Sequence, residues 1–291
     1  MLELQSKKDI EKISYEILKS SKSLDVFPTP IDKIVSYAEL SVNSGIDLSK
    51  IQSGYFSKIP DVLKKAIGKL QGALDIRKKE IYLDLSVNVS KQKFVKLHEV
   101  GHNVLTWQQK TYEILEDDEN TLDADTHEEF EAEANFFASA TLFQQDRFLF
   151  EMDKLGLGID SAIYLSNFFG ASKHAAIRRY VEYSKNKCAL LVLKDRTTCG
   201  AILRDKFQSK NFTKTFGEIS VPSEIDRVYP FVHDYCCNRK LKKDGLVSLP
   251  TKNGVVDFTY HLFNNSYNAF VFLFPVGEKK STRTKFIISA K

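Results

Sequence analysis

The sequence predicts an α+β fold, because its 291 residues show two different patterns of apolar residues, one after the other. Apolar residues recur at helical spacing through most of the first 184 residues, with one short hairpin pattern between them. After residue 185 the chain changes to short runs rich in Val, Phe, Leu and Tyr, separated by polar turns. A chain of this length usually needs more than one core. We therefore expect a mostly helical domain with a small sheet over residues 1–145, a helical unit over 146–184 and a β-rich domain over 185–291.

Composition places the chain among globular proteins. Hydrophobic residues make up 43% and charged residues 27%. The first residues lack the apolar core of a signal peptide, and no stretch of about 18 apolar residues occurs. We expect a cytoplasmic protein with no membrane partner. The cysteines show no CxxC spacing, so reduced thiols are expected at Cys188, Cys199, Cys236 and Cys237.

The charges are segregated along the sequence. Residues 111–146 include twelve acidic side chains and no Lys or Arg, and the rest of the chain has 42 basic against 26 acidic residues. A solvated surface is the favoured interpretation of such a run. The alternative is that the acidic run creates a negative electrostatic potential, which attracts a basic segment of a substrate to one part of the protein. From residue 185 onward the net charge is +10, which permits an anionic partner.

Two helices and a hairpin are predicted before the central motif. Apolar residues on one face predict a helix around residues 10–18, and a second helix follows a proline break over residues 31–40. Residues 72–87 have a charged, turn-like centre and then the alternation of Ile81, Leu83 and Leu85, which predicts a hairpin. If its second strand is an edge strand, it could dock an extended substrate, although a purely structural role is more common.

Three further helices are predicted after the hairpin. One covers residues 90–107 and a second covers residues 128–143, where small residues on one face permit close approach to another helix. Residues 162–183 resemble a helix-turn-helix. Its basic residues allow contact with DNA, but packing on the neighbouring domain is favoured because they are few. These residues are Lys173, His174, Arg178 and Arg179.

The central motif is HEVGH at residues 98–102, an HExxH pattern. On a helix, residues i and i+4 lie one turn apart, so His98 and His102 can bind one tetrahedral zinc ion. Glu99 then lies beside the open coordination position and can act as general base on a metal-bound water. The pattern predicts a zincin-like peptidase with one Zn²⁺ per chain. The competing interpretation, a chance match or two buried core histidines, is much weaker because the motif lies in a well-patterned helix.

A catalytic zinc site needs a third protein ligand, and a downstream helix commonly supplies it. Helical periodicity places Glu131 on the inward face, with His127 and Glu128 on roughly the same side. Glu129 and Glu133 fall on the opposite side and are predicted to be solvated. Periodicity alone leaves the choice among the three inward candidates open.

The motifs resemble one bacterial family. The runs FVKLHEVGHNVL and EFEAEANFFASATLF, preceded by GALDIRKKEIYLDL, are similar to the ImmA/IrrE metallopeptidases over about residues 10–180. The resemblance implies that Glu131, the first Glu of the ExEAN pattern, is the third zinc ligand. The chain departs from the family at residues 142–144, where Leu-Phe-Gln stands in place of the common Leu-Met-Pro.

The resemblance also implies a substrate. Family members cleave helix-turn-helix transcriptional repressors, often encoded nearby, which predicts a site-specific endopeptidase acting in gene regulation or stress response. A GAF-like sensor domain follows the peptidase in some members, so the β-rich domain is interpreted as regulatory by analogy. Two alternatives stay open: a DNA- or partner-binding regulator with a structural or vestigial metal site, and a protease toxin or defence effector. The motifs name no oxyanion stabiliser, and His127 and Tyr112 are the candidates.

Overall fold

The structure is a computed structural model that describes residues 2–48, 72–117, 124–197 and 199–278. Contacts divide the described chain into two units. Unit 1 comprises the residues up to Phe148 together with Asn167–Ser172, and unit 2 comprises Leu149–Ser166 and the residues from Lys173 onward. Helices and sheets occur together, so the predicted α+β class is confirmed. The division into three domains stays a prediction.

The elements follow one another along the chain in a helical part and a β-rich part. The first part comprises α1 Leu4–Ser20, α2 Ile31–Tyr37, β1 Ser41–Asp47, β2 Gly72–Asp75, β3 Glu80–Leu83, α3 Val89–Val104, α4 Thr106–Asp117, α5 Ala124–Leu142, α6 Asp146–Lys154, α7 Ile159–Phe169 and α8 Lys173–Tyr183. The second part comprises β4 Ala189–Lys194, β5 Gly200–Gln208, α9 Lys210–Phe216, β6 Glu224–Asp226, α10 Pro230–Cys236, β7 Leu241–Thr251, β8 Gly254–Asn264 and β9 Ala269–Pro275. The predicted helices before residue 184 are all present.

The first helix packs against α5 through the face that its periodicity predicts. Ile10, Ile17 and Leu18 are buried. One polar pair lies in the same interface, where the hydroxyls of Ser14 and Thr141 are 2.9 Å apart and both residues are fully buried. Because each hydroxyl satisfies the other, this contact avoids the cost of an unpaired buried polar group.

The sheet of unit 1 has the order β1–β3–β2. Strand β3 is parallel to β1 and antiparallel to β2, so the predicted hairpin is confirmed. The condition for substrate docking at residues 81–85, an edge strand, is not met, because β1, which the sequence pattern did not predict, pairs with the other side of β3. Ile81 and Leu83 are buried, whereas Leu85 lies beyond the strand and is exposed. Among the described strands, β1 and β2 are the two edges of this sheet.

The end of α5 lies where the chain departs from the family pattern. The helix ends at Leu142, and the fully buried Gln144 side chain follows it. Its amide nitrogen donates to the carbonyls of Ser23 and Val26, at 3.3 and 2.9 Å, and to the Thr29 hydroxyl at 3.1 Å. Its oxygen accepts from the backbone N–H of Asp25 at 2.8 Å. One side chain thus fixes the loop between α1 and α2 against the end of α5.

Unit 2 contains an antiparallel sheet of the order β6–β5–β4–β9–β8–β7. The predicted strand-rich character of this part is confirmed, since the apolar runs of residues 189–194, 200–204, 255–263 and 269–274 lie in β4, β5, β8 and β9. The predicted run at 285–290 lies outside the described residues. Strands β6 and β7 and helices α9 and α10 were not predicted.

The central strands of this sheet are buried on both faces. Leu191 packs in a cluster with Phe231 and Val232 of α10. The rings of Phe270 and Phe272 instead contact His174 and Tyr180 of α8, with centroids 5.6 and 5.7 Å apart. A strand covered on both faces needs apolar residues without alternation, which explains the continuous runs in β4 and β9.

Candidate metal centre

The two histidines of the HExxH motif lie on α3, whose first turn is capped locally. The Asn88 side chain accepts a hydrogen bond from the Lys91 N–H at 3.0 Å. This satisfies one of the free donors at the start of the helix. Further along the same helix, His98 and His102 lie one turn apart, and both are buried. Their Nε2 atoms are 3.0 Å apart.

Glu131 of α5 completes a cluster with the two histidines. One of its carboxylate oxygens lies 3.3 Å from His98 Nε2 and the other lies 3.4 Å from His102 Nε2. Within the described residues, this is the one group of three or more His, Cys, Asp or Glu side chains whose donor atoms lie within 4.8 Å of one another. Ligands about 2.0–2.1 Å from a tetrahedral zinc ion lie about 3.3 Å from each other. The separation of the two Nε2 atoms, and that of each Nε2 atom from its own carboxylate oxygen, is therefore close to the ligand spacing of such a site.

Close approach of α5 to α3 depends on a small residue inside the motif. A Cβ atom at Gly101 would lie 3.2 Å from the Cα of Ala134 and 3.2 Å from the Phe137 ring. Both neighbours are fully buried. Because Gly101 has no side chain and Ala134 has only a methyl group, the backbones of α3 and α5 meet closely one turn from Glu131, and its carboxylate reaches the histidines.

Glu99 is buried beside the cluster. Burial raises the pKa of its carboxyl group, and the nearby His102 and His98 oppose this increase. Strand β2 passes close to it, since a Cβ atom at Gly72 would lie 3.0 Å from Glu99 Oε1. The edge strand of the small sheet and the acidic residue of the motif thus border the same space.

The other charged groups of the cluster stabilise one another. Burial would raise the pKa of Glu131, but hydrogen bonds from His102 and His98 outweigh it and lower the pKa. Burial would likewise lower the pKa of His102, but the hydrogen bond to Glu131 and the charge of Glu99 raise it. The site therefore combines two imidazoles with a readily ionised carboxylate, which is a donor set that zinc prefers.

A second layer of contacts supports His102 from behind. The His102 Nδ1 atom lies 2.8 Å from Gln108 Oε1, and the Gln108 amide nitrogen donates to Glu133 Oε2 at 2.7 Å. The indole N–H of Trp107 donates to the same Glu133 oxygen at 2.7 Å. The prediction that Glu133 is solvated is wrong, because the first turn of α4 covers the side of α5 that periodicity assigned to solvent.

The remaining predicted site residues lie apart from the cluster or outside the description. His127 and Glu128 are exposed on the first turns of α5, and neither belongs to the group of converging donors. Glu129 is exposed, as predicted. The Tyr112 side chain lies outside the described part of the structure. Sequence reasoning missed Gln108 and Trp107, for which the only signal was their position just after the motif helix.

The cysteines are all free, in agreement with the prediction of reduced thiols. Cys188 is buried, which raises the pKa of its thiol to about 12, while Cys199 and Cys237 are exposed. None of the described helices is both long enough and apolar enough to cross a membrane.

A helical domain with a small sheet and a His-His-Glu cluster is the arrangement of a metallopeptidase. Residues 60–180 match the family model Peptidase_M78, described as the IrrE N-terminal-like domain. The predicted resemblance to the ImmA/IrrE family is thereby confirmed for residues 60–180. No curated protein matches the chain. Among solved structures, a Mycobacterium tuberculosis transcriptional regulator is similar, with 11% identity and a TM-score of 0.49 over 91% of this chain and 75% of that chain.

Proposed function

We propose that the chain is a site-specific, zinc-dependent endopeptidase. His98, His102 and Glu131 would hold one Zn²⁺ ion, and Glu99 would be the general base. The observation that carries this proposal is the convergence of donor atoms from three residues: the two histidine Nε2 atoms are 3.0 Å apart, and each lies 3.3–3.4 Å from one of the two carboxylate oxygens of Glu131. A purely structural site would have no use for a buried carboxylate between its two histidine ligands, which favours catalysis over a structural role.

When bound, zinc lowers the pKa of a coordinated water and polarises the peptide carbonyl. The chain itself handles the protons. The carboxylate of Glu99 accepts a proton from the attacking water and later delivers it to the leaving amine. Its burial between α3 and β2 keeps bulk water from competing for that proton. His127 and Tyr112 remain candidates for stabilising the oxyanion, with His127 one turn before Glu131.

Strand β2 is the proposed docking site for an extended segment of the substrate. It replaces residues 81–85 in that role, because β3 is already paired on both sides. On the side away from β3, no described strand pairs with β2, and its backbone groups there could pair with a peptide by β-augmentation. Gly72 begins this strand next to Glu99, so a peptide aligned there would lie near the general base.

The proposed substrate is a cytoplasmic helix-turn-helix repressor encoded near the gene for this chain. This proposal is supported by the match of residues 60–180 to the ImmA/IrrE family, in which such repressors are cleaved. The β-rich part of the chain, from residue 185 onward, would regulate access to the peptidase. The helical unit over residues 146–184 is proposed to pack within the protein and not to read DNA.

The test is to mix the purified full-length chain and zinc with the candidate repressor. We expect one zinc-dependent cut, which Glu99→Gln abolishes while zinc content measured by atomic absorption stays at one ion per chain. Glu129→Gln is the matched control, because Glu129 is exposed on α5. This variant should cleave the repressor as the wild type does. Cleavage that survives Glu99→Gln, or the absence of any zinc-dependent cut, would contradict the proposal.

A further inference from the structure

The side of His102 that faces away from the cluster is held by a fully buried amide. Gln108 Oε1 lies 2.8 Å from His102 Nδ1. The Gln108 amide nitrogen donates both to Glu133 Oε2, at 2.7 Å, and to the backbone carbonyl of Phe130, at 3.2 Å. Both acceptors belong to α5, the helix that also supplies Glu131. A chain of three polar groups thus leads from α5 back to the second histidine of the motif.

The chemistry of these acceptors fixes the orientation of the amide. A carboxylate oxygen and a backbone carbonyl only accept hydrogen bonds, so the NH₂ group of Gln108 must face Glu133 and Phe130. The amide oxygen must then face His102, and it can only accept. A short contact with that oxygen requires a hydrogen on His102 Nδ1. In the neutral imidazole, the form that binds metal, the lone pair is then on Nε2, on the side of His98 and Glu131.

We propose that Gln108, oriented by Glu133, is a positioning residue that holds His102 in the Nδ1-protonated tautomer required for binding metal through Nε2. This inference rests on the proposed function, because it concerns the same metal centre. Glu133 is itself fixed by the Trp107 indole, which donates to the carboxylate oxygen that Gln108 uses. Partners of this kind set both the tautomer and the ring orientation of a metal-bound histidine.

The arrangement assigns two tasks to one helix. Glu131 offers a ligand, and Glu133, two residues later, orients the group that prepares another ligand. Two residues apart on a helix point to different sides, so α5 must be covered on both. The first turn of α4 provides this cover, because its residues Trp107 and Gln108 contact Glu133 of α5.

The direct test reads the tautomer of the metal-free protein by long-range ¹H–¹⁵N NMR of the imidazoles in mildly alkaline buffer. We expect the Nδ1–H form of His102 in the wild type and a mixture, or mainly the Nε2–H form, in Gln108→Leu. Gln109→Leu is the matched control, since Gln109 is the adjacent residue of the same type, and among the described residues its amide contacts Asn103, at 3.4 Å. A wild-type His102 in the Nε2–H form would overturn the proposal.

Zinc affinity gives a second readout, measured by competition with a chromophoric chelator. Gln108→Leu should weaken zinc binding about 10- to 100-fold, whereas Gln109→Leu should not change it. Glu133→Gln keeps an acceptor for Gln108 and should bind zinc nearly as the wild type does, but Glu133→Leu should behave like Gln108→Leu. Equal affinity in Gln108→Leu and the wild type would refute the positioning role.

These outcomes separate this inference from the proposed function. If the wild-type chain binds zinc but cleaves no repressor, the peptidase assignment fails and the tautomer result stands. If cleavage depends on zinc and Glu99, while His102 keeps its tautomer and its zinc affinity in Gln108→Leu, only the positioning role fails. Circular dichroism of each variant verifies the fold, and the Glu133→Gln and wild-type measurements decide the matter if Gln108→Leu does not fold.

Discussion

Replacement of Gly72 by alanine should disturb both the stability of unit 1 and its candidate active site. An added Cβ atom would lie 2.2 Å from Val95 Cγ1 and 3.0 Å from Glu99 Oε1. Ordinary contact between carbon atoms is about 3.5–4.0 Å, so the first distance forces a movement of more than 1 Å. Val95 is β-branched and lies on α3, where its side chain has essentially one rotamer. Strand β2 must therefore move away from α3.

The cost of this movement follows from experience with overpacked cores, in which an added methyl group costs about 1–3 kcal/mol. Val95→Ala removes the colliding atom at a cost of its own, about 1–3 kcal/mol for a buried side chain. Because the collision disappears in the double variant, its total loss should be smaller than the sum of the two single losses by about 1 kcal/mol or more.

Urea unfolding followed by tryptophan fluorescence is a suitable assay, because the chain has one tryptophan and Trp107 lies in unit 1. Gly45→Ala is the matched control, since a Cβ atom there meets only Asn43 Oδ1, at an ordinary 3.4 Å. The double variant should recover stability but not cleavage, because the 3.0 Å contact with Glu99 remains. Strictly additive losses would refute the reasoning, since they would mean that the added methyl group does not meet Val95.

Two further predictions concern buried polar contacts in each unit. Gln144→Ala removes the amide that fixes the loop between α1 and α2, and it should lower the free energy of unfolding by roughly 3 kcal/mol, as followed by Trp107 fluorescence. An unchanged urea midpoint would contradict this. Tyr260→Phe removes a hydroxyl that donates to the buried Asp234 carboxylate at 2.6 Å, and it should cost about 1.5–3 kcal/mol by calorimetry. Tyr267→Phe, at an exposed site, should cost nothing, and equal effects of the two changes would exclude the proposed hydrogen bond.

The sequence was most informative where the relevant geometry is local. The spacing of His98 and His102 alone brings their imidazoles to one side of a helix, and the structure has their Nε2 atoms 3.0 Å apart. The choice of Glu131 over its inward neighbours needed the family resemblance, because periodicity describes a face of a helix and not its partner. The error at Glu133 has the same origin, since α5 is covered by α4 on a side that a one-faced pattern leaves to solvent.

Pairing between distant segments was the part that the sequence could not give. Strand β1 joins β3 across about 40 residues, so no local pattern indicated that β3 lies inside the sheet. Strand β7 was missed because Gly245 and Pro250 resemble turn residues. In the structure, a Cβ atom at Gly245 would lie only 2.3 Å from the Tyr260 ring, so glycine is needed there for close packing within a strand.

Helix packing in unit 1 determines the spacing of the candidate ligands. The contact of Gly101 with Ala134 sets the distance between α3 and α5, and the buried pair of Ser14 and Thr141 holds α5 against α1. These contacts involve no ligand atom, so the donor groups converge because the helices pack there. If the site holds the proposed zinc ion, the ion would add less to folding than the ions of structural sites, which fold only around their metal. The packing thus favours a catalytic ion, one that keeps a position open for water, over an ion that holds the fold together.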